Sequence, residues 1–147
     1  MAPDDRNITA AMKNSAVLPR LRTDALELLV AATAPGGLAG RELEFSDDWA
    51  VTLVLASAGY PASASKGDVI SGLDAVDDAV EVTHAGTARR DDGALVTAGG
   101  RVLNVTGLGP TPQAARDAAY AAAEHIDFAG RQLRADIALR AVEKVSG

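Results

Sequence analysis

Apolar residues recur along the chain with two different periods, and together these periods predict an α+β fold. Within residues 17–34, leucines and alanines recur at helical spacing, with Pro19 in the first turn and glycines after Pro35. Residues 49–56 are mostly apolar with several β-branched side chains, which is typical of a strand covered on both faces. The sequence therefore predicts a helix followed by a β-rich segment.

Short β-like runs separated by turn residues fill the middle of the chain. The further runs expected to form strands are residues 41–45, 68–70, 80–83, 94–98 and 101–106. The dipeptides at 92–93 (Asp-Gly) and 99–100 (Gly-Gly) both favour a tight hairpin between neighbouring strands.

Two more helices are predicted near the carboxyl end. Thr111 suits an N-cap, Pro112 suits a first turn, and the alanine-rich run up to Ile126 has high helix propensity. After a break at Gly130, apolar residues recur at helical spacing: Leu133, Ile137, Ala141 and Val145. The β segment is thus flanked by one amino-terminal and two carboxy-terminal helices.

The composition excludes several classes of function for this chain. A net charge of -6 argues against a nucleic-acid binder, because such a protein needs a broad basic face. The absence of cysteine excludes disulfides and thiolate chemistry. No secretory signal is evident at the amino terminus, and no apolar run approaches the ~20 residues of a membrane span. We expect a soluble, cytoplasmic protein without nucleic-acid or membrane partners.

The densest group of chemically active residues lies between positions 84 and 109. Glycines and arginines alternate there with short β-like runs, which is one common way to build an anion-binding edge. Gly99 and Gly100 leave the backbone accessible to a phosphate, and Arg101 can bind it with two hydrogen bonds. His84 is a second candidate, although a hydrogen-bonded surface histidine is the more common explanation for an isolated residue of this kind.

Other patterns have structural explanations. The glycines at 107 and 109 do not complete a dinucleotide fingerprint, because its third glycine would fall on Pro112. Paired aspartates lie in turns, where they bond their own backbone, and His125 suits a helix end. The residues themselves indicate no catalytic group and no metal-ligand set.

Several motifs in fixed order resemble the carboxy-terminal domain of phosphoribosylamine-glycine ligase, an ATP-grasp enzyme of purine biosynthesis. They lie at residues 17–21, 26–29, 55–57, 59–61, 66–68, 84–87, 95–103 and 134–137. The resemblance implies a small β-barrel-like domain of short antiparallel strands flanked by helices. It also implies that Arg101, Gly99 and Gly100 face the ribose phosphate, with His84 and Thr87 as second-line substrate contacts.

The resemblance implies a division of the chain into three parts. Residues 1–15 form a leader that does not match the family, 16–35 a helix left from the ATP-grasp domain, and 36–147 the carboxy-terminal ligase domain. By spacing, the family's magnesium ligands would fall on leader residues that cannot coordinate the ion in the same way, because hard cations need a set of oxygen ligands: Asp4, Arg6, Ala10, Ala11, Met12 and Lys13. The family uses ATP and magnesium, but neither is expected to bind this chain alone.

We therefore expect a fragment of the ligase that is inactive alone, with the missing amino-terminal and ATP-grasp portions as its partners. The helix at 17–34 would expose its leucines, which predicts self-association or packing onto the β domain. The alternative is a non-catalytic module that reuses this domain to bind a metabolite or a partner.

Overall fold

The centre of the fold is an antiparallel pair of long strands within a four-stranded sheet. In the computed structural model, which describes residues 7–9 and 18–146, this sheet contains β1 (Asn7–Thr9), β2 (Trp49–Ala56), β3 (Glu81–His84) and β6 (Arg101–Gly109), in the order β1-β2-β6-β3. Strands β4 (Thr87–Arg89) and β5 (Leu95–Thr97) form a separate hairpin. β2 and β6 are mostly apolar and almost wholly buried, as expected for strands covered on both faces.

Within the described residues, three α-helices accompany the sheets: α1 (Ala25–Ala32), α2 (Pro112–His125) and α3 (Leu139–Ser146). Short 3-10 turns lie at Leu18–Arg20 and Leu73–Ala75. No helix in the described part of the chain is long and apolar enough to cross a membrane.

Helix α2 covers the central strands through a face of small residues. The Thr111 hydroxyl caps it by accepting a hydrogen bond from the Ala114 amide at 3.1 Å, and Pro112 occupies its first turn. Its buried alanines pack against β2 and β6. A Cβ atom at Gly107 would lie only 2.5 Å from backbone atoms of α2, so this glycine permits the close helix–strand contact.

The α+β class, the flanking helices and strand β2 are confirmed as predicted. The hairpin signal at Asp92 and Gly93 is also confirmed, because these residues lie in the turn between β4 and β5. The barrel-like description was too loose: the described strands form one open four-stranded sheet and one hairpin, and β1 runs parallel to β2.

Several local predictions were wrong. Residues 41–45 and 68–70 form isolated bridges rather than strands, because their partners pair with them at single positions only. Gly99 and Gly100 do not join a hairpin, since β5 pairs with β4 whereas β6 pairs with β2 and β3. The helices predicted at 17–34 and 133–145 are shorter in the structure, at Ala25–Ala32 and Leu139–Ser146.

Helix α1 packs little against the rest of the molecule. Asp24 caps it by accepting amide hydrogen bonds from Leu26 and Glu27, yet none of its residues is buried by the described chain. Leu26, Leu29 and Val30 are 69%, 67% and 62% exposed. The alternative that this stripe packs onto the β domain was therefore wrong for the described residues.

The predicted leader lies mostly outside the described residues. Within it, only Asn7–Thr9 is described, and this segment pairs as β1 with residues Ala50, Val51 and Thr52 of β2. A strand was not expected there, because the first fifteen residues show no sustained strand period.

Candidate functional site

An open cavity of about 510 Å³ lies beside the amino-terminal end of β6 and the carboxyl end of β2. It has one wall from the sheet, one from the turn after β2 and one from the segment between α2 and α3. The residues that line it are Val54, Ala56, Tyr60, Pro61, Arg101, Gln132, Leu133, Arg134 and Ile137. Arg101, the first candidate for binding a phosphate, therefore lies at a cavity large enough for a small molecule.

A β-bulge brings the Arg101 side chain to this cavity. Leu55 is paired with Leu103, but Ala56 is paired with Arg101, so β6 contains one extra residue between the two pairs. In a regular strand Arg101 would share the face of Leu103, which is fully buried. The bulge instead turns Arg101 to the side of Val54 and Ala56, and bulges near functional sites often redirect a side chain in this way.

Arg101 is exposed, and no hydrogen bond or ion pair joins its guanidinium to the described residues. An arginine carries five N–H donors and stays charged at all physiological pH values. With no carboxylate of the described chain using these donors, Arg101 can bind an anionic ligand group through two of them.

Gly99 and Gly100 lie beside Arg101 but do not line the cavity. A Cβ atom at Gly100 would lie 2.6 Å from the Tyr60 ring, so the glycine allows that ring to lie against the backbone. The Gly100 carbonyl accepts a hydrogen bond from the Ser57 amide at 2.9 Å. In this structure the two glycines hold the chain before Arg101 in close contact with its neighbours.

His84 and Thr87 form a pair next to this region, away from the cavity wall. The His84 Nδ1 atom lies 3.0 Å from the Thr87 hydroxyl oxygen, which closes a short loop around Gly86. The Gly86 amide donates to the Val102 carbonyl at 3.1 Å, and its carbonyl accepts from the Ala98 amide at 2.7 Å. These two hydrogen bonds thus join the loop to the backbone on both sides of Arg101.

The wall contributed by residues 132–137 was not predicted from the sequence. Gln132 exchanges two backbone hydrogen bonds with Ala56, at 2.9 and 2.8 Å, which places this segment beside the carboxyl end of β2, on the side opposite β6. The family motif at 134–137 is the available signal, but the helical spacing of apolar residues predicts a helix over the whole region. Arg134 is the functional candidate that this misassignment hid.

Arg134 is held by a local ion pair. Its Nε and Nη2 atoms donate to the two carboxylate oxygens of Asp136 at 2.9 and 2.6 Å. These hydrogen bonds raise the pKa of Arg134 and lower the pKa of the Asp136 carboxyl from its ordinary value. Both groups are exposed, so the pair orients Arg134 more than it stabilises the fold.

No cluster of three or more histidine, aspartate or glutamate side chains suited to a metal ion occurs in residues 7–9 and 18–146. The magnesium-binding positions expected from the family lie in the leader, outside the described residues. The described residues thus offer no such ligand set for magnesium, and we derive no chemical step through magnesium or ATP.

Comparison with known proteins identifies the family. Residues 50–140 match the family described as "Phosphoribosylglycinamide synthetase, C domain". Over 128 residues the chain is 45% identical to the phosphoribosylamine-glycine ligase of Neisseria meningitidis serogroup A, covering 87% of this chain and 30% of that enzyme. It is 47% identical over 132 residues to the ligase of Mycobacterium tuberculosis, covering 89% of this chain and 30% of the relative.

A solved structure agrees with these matches. The crystal structure of phosphoribosylamine-glycine ligase from Thermotoga maritima superposes with a TM-score of 0.60 at 38% identity, covering 77% of this chain and 28% of that one. The chain thus spans about 30% of the length of the curated relatives described above. The order of motifs, the fold and these matches agree, and the chain belongs to the phosphoribosylglycinamide synthetase C-domain family.

Proposed function

We propose that this chain forms the C-domain wall of the phosphoribosylamine site in a phosphoribosylamine-glycine ligase. The observation that carries the proposal is Arg101, an exposed cation that a β-bulge turns into an open cavity and that no described acidic residue neutralises. A sugar phosphate supplies the anion that such a site binds, while the partly apolar wall accommodates the sugar.

In the proposed reaction, the terminal phosphoryl group of ATP is transferred to the carboxylate of glycine and ADP is released. The amine of phosphoribosylamine then attacks the acyl carbon, displaces phosphate and loses a proton, which forms the amide bond. The role of this domain is to bind and orient the amine substrate. Arg101 would hold the phosphate, which fixes the position of the ribose and directs its amine toward the reacting carbon. The loop closed by His84 and Thr87 would support this task by fixing the backbone around Arg101.

ATP, magnesium and the glycine site are assigned in this proposal to other parts of the ligase, which are the partners of this domain. The 147-residue chain alone is then inactive. A cytoplasmic location belongs to the same proposal, because ATP and the sugar phosphate are metabolites of that compartment. In isolation, the chain would associate with itself through the exposed leucines of α1.

Kinetics of a complete ligase that carries this domain would test the proposal. Replacing Arg101 with alanine should raise the KM for phosphoribosylamine about 10- to 100-fold, as expected for a lost charge-assisted hydrogen bond, and leave the KM values for ATP and glycine unchanged. ADP release measures all three. Arg89→Ala is the control, since Arg89 lies on the hairpin and does not line the cavity.

Two results would contradict the proposal. An unchanged KM for phosphoribosylamine and unchanged turnover in Arg101→Ala would remove Arg101 from the site. ADP release by the isolated chain, supplied with ATP, glycine and phosphoribosylamine, would contradict the assignment of catalysis to the other domains.

A further inference from the structure

We propose that Arg134 is a second phosphate-binding side chain of the cavity at Arg101, so that the ligand phosphate lies between two guanidinium groups. This inference takes its class of ligand, a phosphorylated sugar, from the proposed function and rests on that function to this extent. Its geometric basis is independent of the family: two arginines from distant parts of the chain line one cavity.

The backbone places the two arginines on opposite sides of Ala56. Ala56 is paired with Arg101 on one side and with Gln132 on the other. Neighbouring strands lie ~4.8 Å apart, so the backbones of Arg101 and Gln132 are separated by roughly 10 Å. Arg134 follows Gln132 by two residues, and its side chain reaches the same cavity. One phosphate between them is within reach of both long side chains.

The ion pair with Asp136 leaves Arg134 with unused donors. Asp136 occupies the Nε and Nη2 atoms of Arg134, and no hydrogen bond joins Nη1 to the described residues. A guanidinium has five N–H groups, so at least the two on Nη1 can serve a ligand. Because Asp136 already fixes the plane of the guanidinium, less conformational freedom is lost when a ligand binds.

Helix α2 fixes the segment that carries Arg134. The Tyr120 hydroxyl donates to the Arg134 carbonyl at 2.7 Å and accepts from the Ile137 amide at 3.2 Å. Arg116 donates to the carbonyls of Ala135 and Ile137 at 2.8 and 3.0 Å, and its guanidinium lies 4.3 Å from the centre of the Tyr120 ring. An exposed loop held by four such contacts is preorganised in the way a binding site requires.

The local charge fits an anion. Arg101 and Arg134 contribute two positive charges to the cavity, and Asp136 offsets one of them at the side of Arg134. The apolar side chains of Val54, Leu133 and Ile137 form the adjacent wall, where lower polarity strengthens hydrogen bonds to a charged group. A phosphate attached to a small sugar satisfies both features.

The test is a titration of the ¹⁵N-labelled 147-residue chain with ribose 5-phosphate, followed through the Nε–H signals of its arginines. We expect Arg101 and Arg134 to shift together with one dissociation constant. Arg134→Gln should raise that constant about tenfold, because a charge-assisted hydrogen bond is lost. Arg134→Lys should raise it less, since the charge is retained without the fork of donors.

Arg90→Gln is a closely matched control. Arg90 also forms an ion pair with an aspartate two residues later, Asp92, and both are exposed. It lies outside the cavity wall, so this variant should leave the dissociation constant within about twofold of the original value. The dispersion of backbone amide signals verifies that each variant is folded.

The possible outcomes separate this inference from the proposed function. If Arg101→Gln weakens binding and both Arg134 variants do not, the inference fails and the proposed function stands. If ribose 5-phosphate shifts neither arginine, or if neither Arg101→Gln nor Arg134→Gln weakens binding, both fail. Inorganic phosphate, titrated separately, should shift the same two signals more weakly, and equal affinity would contradict recognition of the sugar.

Discussion

Gly86 and Gly99 show how single residues around Arg101 act through the backbone. A Cβ atom at Gly86 would lie 2.5 Å from the Arg101 carbonyl oxygen and 2.8 Å from the Gly99 Cα, and backbone cannot yield as a side chain does. A Cβ atom at Gly99 would lie 3.3 Å from its nearest neighbour, Gly86 Cα. The two positions therefore differ in the space they offer to a methyl group.

Gly86→Ala should lower the free energy of unfolding by about 1–3 kcal/mol, because overpacking forces the loop away from β6. Gly99→Ala should cost less than about 1 kcal/mol, since a small displacement relieves the contact. Urea denaturation of the two variants measures the difference. Equal losses would contradict the close contact at Gly86.

Asp92, at the tip of the β4–β5 hairpin, provides a test of how a local ion pair shifts the pKa of a carboxyl group. Its pKa is lowered from 3.8 to about 2, chiefly by a side-chain hydrogen bond from Arg90 and next by one from the Ala94 amide. Because the folded pKa lies below the unfolded one, ionised Asp92 stabilises the hairpin above pH 3.8, and this contribution is lost as the pH falls through about 2.

An NMR titration of the carboxyl carbons should therefore find Asp92 still ionised at pH 3. Arg90→Gln should raise the pKa of Asp92 toward its ordinary value, because the largest cause of the shift is removed. The lowered pKa of Asp136 should stay where it is, since it depends chiefly on Arg134. A pKa of Asp92 that does not move in Arg90→Gln would contradict the assigned cause.

At the scale of elements, the N-caps of α1 and α2 form similar hydrogen bonds but should differ in their effect on global stability. Thr111 and Asp24 each accept amide hydrogen bonds from the first turn of their helix. α2 packs its alanines against the central strands, whereas α1 buries none of its residues in the described structure. A cap contributes to global stability only when its helix is part of the cooperative core.

Thr111→Ala should thus lower the global free energy of unfolding by about 1 kcal/mol. Asp24→Ala should leave it unchanged and instead speed amide hydrogen exchange within α1. Denaturation curves and exchange rates measure the two effects. Equal global destabilisation by both variants would show that α1 unfolds together with the core.

Elements with strong local signals were predictable from the sequence. β2 combines an apolar run with turn residues after it, and α2 has a cap, a first-turn proline and an alanine run, so local chemistry and tertiary packing agree. The helix predicted over residues 133–138 was wrong, because Leu133 and Ile137 recur at helical spacing but lie in a loop. Backbone bonds to Ala56 and side-chain bonds from α2 outweigh that local preference.

The candidate site, too, was only partly predictable from the sequence. Arg101 was identifiable from its glycines and charge, but the bulge that turns it into the cavity depends on register with β2, which a single sequence does not reveal. Arg134 reaches the same cavity only through the pairing of Gln132 with Ala56. Contacts between distant segments therefore define the site, although its residues belong to recognisable motifs.

The whole molecule has an uneven distribution of apolar surface, concentrated at α1 and the segment after it. Leu26, Leu29 and Val30 are exposed on α1, and Leu43 and Phe45 are exposed nearby in the chain. Hydrogen bonds and an ion pair hold that segment to the α1 region, including one from Arg41 to Glu27 at 3.0 Å and one from the Glu44 amide to Thr23 at 2.8 Å. Apolar surface of this kind normally contacts another protein.

In the proposed ligase, other parts of the enzyme would cover this surface, and in the isolated chain a second copy would replace them. Sedimentation velocity should then show the isolated chain associating as its concentration rises. The double variant Leu26→Glu/Leu29→Glu should sediment as a monomer and keep the free energy of unfolding measured at low concentration, since these side chains are not buried in the described structure. Val145→Glu, which changes an exposed apolar residue on α3, should associate like the original chain. A strict monomer at every concentration would show that the leucines of α1 do not drive association, and the apolar surface would then have to be explained by the remaining domains alone.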